Sequence, residues 1–507
     1  MLKPIDKFLN SITMYRLVLY YTMALFLIAV LFAVFGILPY NPINMIYTML
    51  LLLIAGWITN ELFSWAFHAP TNVESVYITV FILALIINPM KTFSLGYIAF
   101  IGWVAVISQA SKYIIAIGKK HIFNPAALAV AVTAVAINRS ASWWIATASM
   151  MPFVLIGGVL MVRKLRRWHM VLTFFTVATV TVLSFTVVRG FAIAPAFSKL
   201  FIDAPILFFG FVMFTEPLTA PHTKQWRLWY AVLVGFLFAP QIHIASIYST
   251  PELALLVGNI FSYIVSPKEK LLLKLKEVKR LTNDTFDFIF TSDKKLAFAP
   301  GQYLEWTLPH DKSDARGNRR YFTISSSPTE KDIRMGVKFY ESSSTYKKAL
   351  KNLKPGEVVA ASQLAGDFTL PKDKNKKLVL VAGGVGITPF ASMIKYLIDT
   401  KEKRDIIVLY SNRRLEDIAY KQLFDEAQNK LGIKVLYTLT RPEQAPQNWY
   451  GLTGYITPET IYKYIPDFQE RTFYVSGPEA FVNSLDDTLK AAGIPRSHIK
   501  KDFFPGF

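Results

Sequence analysis

Between residues 377 and 397 the chain reads KLVLVAGGVGITPFASMIKYL. A short β-branched run meets Gly383, Gly384 and Gly386, then Thr388, Pro389 and an amphipathic stretch containing Phe390, Met393, Ile394 and Leu397. The pattern predicts strand, tight turn and helix. Glycine lets the backbone turn sharply and approach a ligand, Thr388 is a candidate cap, and Pro389 suits a first helical turn, where a missing N–H costs nothing. Free N–H groups at such a helix start can hold a pyrophosphate. Alone, the glycines fit an ordinary βα turn equally well, so their meaning rests on their surroundings.

A second chemical signal is Glu216, an acid inside an apolar run at 201–219. An ionisable group in such a setting serves as a cation or proton site or as a partner to a cofactor, unless it is a helix-end glutamate reaching the interface beside Lys224. Three polar–proline pairs, Asn88-Pro89, Asn124-Pro125 and Glu216-Pro217, interrupt apolar runs. Proline frees backbone groups that lipid cannot satisfy, so such breaks belong where helices pack or line a site, unless they are a cluster of interfacial helix ends. The chain has no cysteine. Disulfides, thiolate-bound iron–sulfur clusters and cysteine nucleophiles are thereby excluded, and no metal site is expected.

These residues sit in two unlike halves of a 507-residue chain that is 53% hydrophobic. Up to about residue 265 the chain is a succession of apolar runs, near 17–38, 43–67, 75–90, 93–117, 122–137, 142–161, 169–188, 201–219, 228–247 and 252–265. We read ten spans, several shorter than the ~20 residues a crossing needs and so broken or tilted. Lys3, Lys7, Arg16, Lys112, Lys119, Lys120, Arg163, Lys164, Arg166, Arg167, Lys224, Arg227, Lys268 and Lys270 then fall on one side, against Lys91, Arg139, Arg189 and Lys199 on the other. By the positive-inside rule both termini are cytoplasmic, in a cell membrane. The first run is expected to be retained, since no A-x-A-like cleavage site follows it. Two groups of five spans have opposite orientation, which suggests inverted repeats, and the third and eighth runs echo each other. The net charge of +20 fits topology and anionic lipid better than nucleic acid, for which no motif is present.

After residue 266 the chain becomes charged and alternating. Short candidate strands at 285–290, 299–303, 321–325, 335–340 and 356–359 predict a small antiparallel barrel. From 377 onward, strands near 378–381, 406–410, 434–439 and 472–475 alternate with helices, which predicts a doubly wound parallel α/β domain. The expected architecture is a ten-helix transmembrane bundle (1–266), an antiparallel β-barrel domain (267–371) and a parallel α/β domain (372–507).

In the apolar half HIFNPAA (121–127), the Gly157-Gly158 pair and FTEPLTAP (214–221) resemble the NqrB/RnfD membrane flavin subunits of the sodium-translocating NADH:quinone oxidoreductase and Rnf complexes. The resemblance implies a ten-helix inverted repeat with flavin near the helix breaks, where Asn124, Thr215 and Glu216 would lie. Those subunits carry a covalent FMN on an S-G-A-T-like motif, which this chain lacks, so a non-covalent FMN or riboflavin is expected.

The soluble half resembles the ferredoxin–NADP reductase family, with motifs in family order. RYFT (320–323) matches the flavin motif R-x-Y/F-S/T. By resemblance Arg320 pairs with the FAD pyrophosphate, Tyr321 lies in the motif, Phe322 packs on the ring, and Thr323 bonds near flavin N5. Ser343, Ser344 and Thr345 match the segment that sets a helix start on the same pyrophosphate. Gly383, Gly384, Gly386 and Thr388 become the nicotinamide-nucleotide loop. Ser476, Gly477 and Pro478 match a C-G-P motif with serine for cysteine. KDFFPGF (501–507) resembles the E-x-F-x-G-Y tail, with Asp502 at the acidic position and Phe504 or Phe507 near the flavin. Arg413 and Arg414 follow the strand that carries ribose specificity and could bind a 2′-phosphate, favouring NADPH.

The combination implies a membrane flavoprotein oxidoreductase. Hydride passes from NAD(P)H to FAD on the cytoplasmic side, and electrons leave singly through a membrane flavin toward a quinone or an extracytoplasmic flavoprotein. One alternative is a haem-containing ferric-reductase or NADPH-oxidase-like enzyme. His68, His121, His169, His222 and His243 lie near segment ends, and no helix carries two histidines ~13 residues apart, as stacked haems require at 1.5 Å rise. Others are a transporter with a redox-sensing nucleotide domain, and a soluble-type flavin reductase on a structural anchor.

Overall fold

The computed structural model describes residues 5–6, 8–9, 12–67, 73–89, 94–117, 120–266, 270–310, 314 and 317–504. Phe507 lies outside them, as do Lys3, Lys7, His68, Lys91, Lys119 and Lys268, and no side chain is described for Phe504. The chain separates into two compact units, Met1–Glu269 and Lys270–Phe507.

The first unit is helical. Its helices are α1 (Met14–Val34), α2 (Pro42–Ala66), α3 (Val73–Ile86), α4 (Leu95–Ile114), α5 (Pro125–Ile137), α6 (Met151–Leu165), α7 (Trp168–Val188), α8 (Ile193–Ile202), α9 (Ile206–Met213), α10 (Lys224–Leu237) and α11 (Pro251–Val265). Each of the ten apolar runs contains one. By length and composition, α1, α2, α4 and α7 can each cross a membrane, and α8 with α9 would make a fifth span bent by 55°. The other helices run 13–15 residues (α3, α5, α6, α10 and α11), too short to cross unaided at 1.5 Å per residue.

Starts of these helices follow local chemistry. Asn41 and Asn124 accept from the first-turn N–H groups of α2 and α5, and a proline holds the first position of each. Helix α6 meets its neighbours through Gly157 and Gly158. A Cβ on Gly157 would lie 2.0 Å from the Tyr21 ring of α1, and one on Gly158 would lie 2.3 Å from the ring of Phe211. Small residues permit this approach where lipid offers no hydrophobic drive for helix association. The run at 201–219 takes in only the last two residues of α8, then the bend, then α9, which loosens into a π-helical turn at Phe209–Met213 just before Thr215 and Glu216.

The second unit begins with a six-stranded antiparallel sheet. Its strands are β1 (Leu271–Arg280), β2 (Thr285–Ser292), β3 (Tyr303–Thr307), β4 (Arg319–Thr323), β5 (Ile333–Lys338) and β6 (Val358–Ala365). They lie in the order β4-β3-β6-β1-β2-β5. The two edge strands are consecutive in sequence, and just past β4 the Ser325 N–H donates to the Arg334 carbonyl of β5. Leu273, Phe288, Phe290, Trp306, Val337 and Val359 fill its core. The expected strand at 299–303 begins only at Tyr303.

A six-stranded parallel sheet follows, with β7 (Leu378–Gly383), β8 (Ile406–Asn412), β9 (Lys434–Leu439), β10 (Leu452–Thr453), β11 (Thr472–Pro478) and β12 (Ile499–Phe504), ordered β10-β9-β8-β7-β11-β12. Alternate residues of β7 serve two cores. Leu378, Leu380 and Ala382 join Phe390, Ile394 and Phe424 on one face, while Val379 and Val381 join Ile461, Leu485 and Leu489 on the other. Helices cover both faces, which is why the central strands are continuous apolar runs.

Candidate functional site

Three strands bring the sequence motifs to one edge. Ala382 of β7 pairs with Ser476 of β11, and Ser476 pairs in turn with Asp502 of β12. The glycine loop, the Ser476-Gly477-Pro478 segment and the acidic tail position therefore lie side by side at the carboxyl end of the parallel sheet, where ligands of open α/β sheets sit. Residues Ile499–Phe504, which include the start of that tail motif, form a parallel strand.

The loop itself is a 3₁₀ turn, Gly384–Ile387, leading into α13 (Thr388–Thr400). Gly384 has φ +53° with open space around it. Gly386 is needed for closeness: a Cβ there would lie 2.3 Å from the Ser476 carbonyl oxygen and 2.5 Å from the Gly477 Cα. A Cβ on Gly383 would meet the Phe481 ring at 2.7 Å. Thr388 does not cap the helix as expected. It is the first helical residue, and its hydroxyl donates back to the Val385 carbonyl at 3.2 Å, because the 3₁₀ turn already supplies the preceding residues. Arg413 and Arg414 follow β8, both exposed, with Arg414 Nη1 3.1 Å from Glu416.

On the antiparallel sheet, β4 carries Arg320, Tyr321, Phe322 and Thr323. Arg320 is buried, its guanidinium 5.1 Å from the Tyr346 ring centre. Its Nη1 donates to the carbonyls of Gly317 and Arg319, and its Nη2 faces Asp314 Oδ1 at 3.3 Å. Phe322 lies 6.0 Å from Tyr346, ring to ring, and Tyr321 points the other way, donating to Glu305 Oε2. Ser344 caps α12 (Thr345–Lys351), Ser343 bonds back to the Tyr340 carbonyl, and the Thr345 N–H donates to Asp314 Oδ2. Asp314 thus lies between Arg320 and the start of α12, its carboxylate facing both.

Thr323 and Ser476 share a feature. Each hydroxyl is buried, 3% and 0% exposed by residue, and neither finds a hydrogen-bond partner among the described residues. A buried hydroxyl left unmade costs free energy, so its persistence at two motif positions fits groups that await a ligand atom. These hydroxyls, Arg320 beside the Tyr346 ring, and the glycine cradle fit a flavin dinucleotide and a nicotinamide nucleotide.

In the helical unit, Asn124, Thr215 and Glu216 line one open cavity of about 60 Å³ with Tyr15, Ser75 and Met161. Glu216, half-buried rather than sealed, accepts from Asn124 Nδ2 (2.9 Å) and Thr219 Oγ1 (3.0 Å). The Asn124 N–H donates to Asn259 Oδ1 of α11, and buried Arg167 donates to the Thr215 carbonyl. Asn259 and Arg167 carry no motif signal and were not singled out from sequence. Among the described residues no cluster of His, Asp and Glu is arranged to hold a metal ion.

Comparisons with known proteins divide the chain in the same way. Residues 145–268 match the NQR2, RnfD, RnfE family, and residues 380–487 match the oxidoreductase NAD-binding domain. The chain joins an RnfD-like membrane part to a ferredoxin-reductase-like part. It is 26% identical over 227 residues to the glycine betaine monooxygenase reductase subunit of Chromohalobacter salexigens, covering 44% of this chain and 61% of that protein. It is 30% identical over 241 residues to a Bacillus cereus flavohemoprotein, covering 45% and 59%. The chain thus spans about three-fifths of the length of these relatives. The flavohem-like FAD/NAD-binding domain of a Vibrio cholerae nitric oxide dioxygenase superposes at TM-score 0.42 and 20% identity, covering 46% of this chain and 98% of that one. The soluble half therefore carries an oxidoreductase NAD-binding domain at residues 380–487.

Proposed function

We propose that the protein is an NAD(P)H-dependent flavin oxidoreductase that takes hydride from cytoplasmic NAD(P)H onto FAD and passes single electrons through its membrane half to a quinone or an extracytoplasmic flavoprotein. The observation that carries the reading is the alignment of Ala382, Ser476 and Asp502 across β7, β11 and β12, with the Ser476 hydroxyl buried and unmatched. FAD, when bound, would supply the conversion from one hydride, which carries two electrons, to electrons released one at a time.

The chain's own residues then have distinct tasks. Arg320 exchanges Asp314 for the FAD pyrophosphate, a planar cation suited to paired phosphate oxygens. Phe322 offers an apolar face to the ring, and Thr323 turns its hydroxyl to the reacting edge. Ser343, Ser344 and Thr345 hold the backbone beside the same phosphates. Gly383, Gly384 and Gly386 let the nicotinamide nucleotide approach, with Thr388 closing the loop. Ser476, Gly477 and Pro478 position the nicotinamide, Asp502 and Phe507 complete the site, and Arg413 and Arg414 favour a 2′-phosphate. Asn124, Thr215 and Glu216 would hold the edge of a non-covalent FMN or riboflavin, which would supply one-electron chemistry inside the membrane. We assign residues 1–266 to a ten-span inverted-repeat bundle with cytoplasmic termini, 267–371 to a barrel and 372–507 to the nucleotide domain.

The test is the absorption spectrum of detergent-purified protein before and after NADPH, with flavin counted per chain. Bleaching flavin bands, no Soret band and more than one flavin per chain support the reading. A Soret band that shifts on reduction overturns it in favour of a haem path.

A further inference from the structure

Asp287 of β2 is fully buried, yet its side chain has the parity opposite to Phe286, Phe288 and Phe290, which face the antiparallel core. It therefore points away from that core, and three elements converge on it. Arg334 of β5 donates to Oδ2 from Nε at 2.7 Å and also from Nη2. Ser325, two residues beyond the Arg320–Thr323 strand, donates to Oδ1 at 3.2 Å. The Tyr420 hydroxyl, from the parallel-sheet side, donates to the same Oδ1 at 3.0 Å.

Tyr420 precedes α14 (Lys421–Leu431) with φ +58°, a conformation unfavourable for a bulky residue, so its surroundings over-determine its position. Burial first, and then the charge of Asp287, push its phenol well above the usual range, so it remains a donor. Gly336 makes room for it: a Cβ there would lie 2.5 Å from the Tyr420 hydroxyl and 2.7 Å from Cγ2 of Thr388, the residue ending the nucleotide loop. The neighbouring Ser392 hydroxyl donates to the Ser326 carbonyl at 2.7 Å. The buried carboxylate thus joins the strand bearing the flavin motif to the domain bearing the nucleotide loop.

We infer that Asp287 and Tyr420 are positioning residues that set the approach of the nicotinamide loop to the flavin strand. This rests on the hydride-transfer reading above. Neither residue lies in the motifs quoted above; their effect is on the geometry of transfer, where a displacement of ~1 Å costs up to about 100-fold in rate.

The experiment uses the full-length protein carrying Tyr420→Phe, which removes one hydroxyl and keeps the ring. Flavin per chain, the unfolding midpoint and bleaching by dithionite are measured beside the rate of bleaching at saturating NADPH, with and without deuterium at nicotinamide C4. The expected result is wild-type flavin content and dithionite bleaching, hydride transfer slowed by about 10- to 100-fold, and a larger deuterium isotope effect. Asp287→Asn is expected to move the rate in the same direction. Bleaching of the Tyr420→Phe protein at the wild-type rate overturns the inference. So does a slowed rate explained by flavin loss or a collapsed midpoint, since both residues are then merely structural. If neither NADPH nor NADH bleaches flavin in the wild-type protein, the function reading itself fails, and this outcome is distinct because it needs no variant.

Discussion

Gly386 lies so close to Ser476 that a Cβ on the glycine would sit 2.3 Å from the serine carbonyl oxygen. Two backbones meet there, and neither can yield without moving β11. Gly386→Ala is therefore expected to cost about 1–3 kcal/mol by overpacking and to abolish NADPH-dependent bleaching. Gly384→Ala meets open space and pays only for φ +53°, about 1–2 kcal/mol, with bleaching retained. Thermal unfolding and bleaching rates of the two variants check the contrast; equal effects would show that the close approach is not what matters.

How much of this was legible in sequence depends on what kind of neighbour a residue has. The glycine loop, the Arg320 motif and Ser476 could be read because their residue types are demanded locally, by a turn, an anion or a reacting atom. The strand at Ile499–Phe504 was not, because charged Lys500 and Lys501 at a sheet edge do not look like a buried strand. Asp287 was invisible for a similar reason: at its parity the strand reads as solvent-facing, and only the fold places Tyr420 over it. Helix α8 was not legible because all but its last two residues fall between the runs at 169–188 and 201–219, while Asp203 and Pro205 sit at its bend into α9.

The unmatched hydroxyls make stability and activity move in opposite directions. Thr323→Val and Ser476→Ala each remove a buried polar group that lacks a partner, so the flavin- and nucleotide-free protein should be unchanged or stabilised by about 1 kcal/mol. The same changes should slow bleaching by NADPH. Denaturant midpoints and stopped-flow bleaching measure the two effects; destabilisation of the ligand-free protein would mean that these hydroxyls already serve the fold.

Arg320 is expected to govern flavin retention. Losing a buried cation that pairs with a phosphate costs about 2–5 kcal/mol, or roughly 30-fold to a few thousand-fold in affinity. Arg320→Ala should lose flavin on dialysis, while Arg320→Lys, a point charge without the fork, should retain an intermediate amount. Flavin extracted per chain decides; full retention by the alanine variant would remove Arg320 from the phosphate role.

Acid should weaken the parallel-sheet domain through Asp467. Its hydrogen bond from Arg471, helped by Lys377, outweighs partial burial and lowers its pKa from 3.8 to about 2. Because the folded value lies below the unfolded one, the stabilisation is present above about pH 4 and is lost as pH falls through about 2. Solvent screening limits it to no more than about 1 kcal/mol. Asp467→Asn should flatten the pH dependence of the denaturant midpoint across that window, and an unchanged slope would assign the acid sensitivity elsewhere.

Glu216 separates the two halves of the proposed path. Its carboxylate gathers donors from Asn124 and Thr219 in a cavity of the helical unit, whereas hydride uptake is assigned to the other unit. In Glu216→Gln one acceptor oxygen remains and the charge is lost, so helix packing should survive while the site's electrostatics change. NADPH reduction of ferricyanide, a soluble acceptor that can draw electrons from the cytoplasmic flavin, should proceed at the wild-type rate. Reduction of a quinone in reconstituted vesicles should fall, by about 10-fold or more if the lost charge changes the site by at least ~1.4 kcal/mol. Equal loss in both assays would place Glu216 in folding, and no loss in either would leave the cavity outside the electron path.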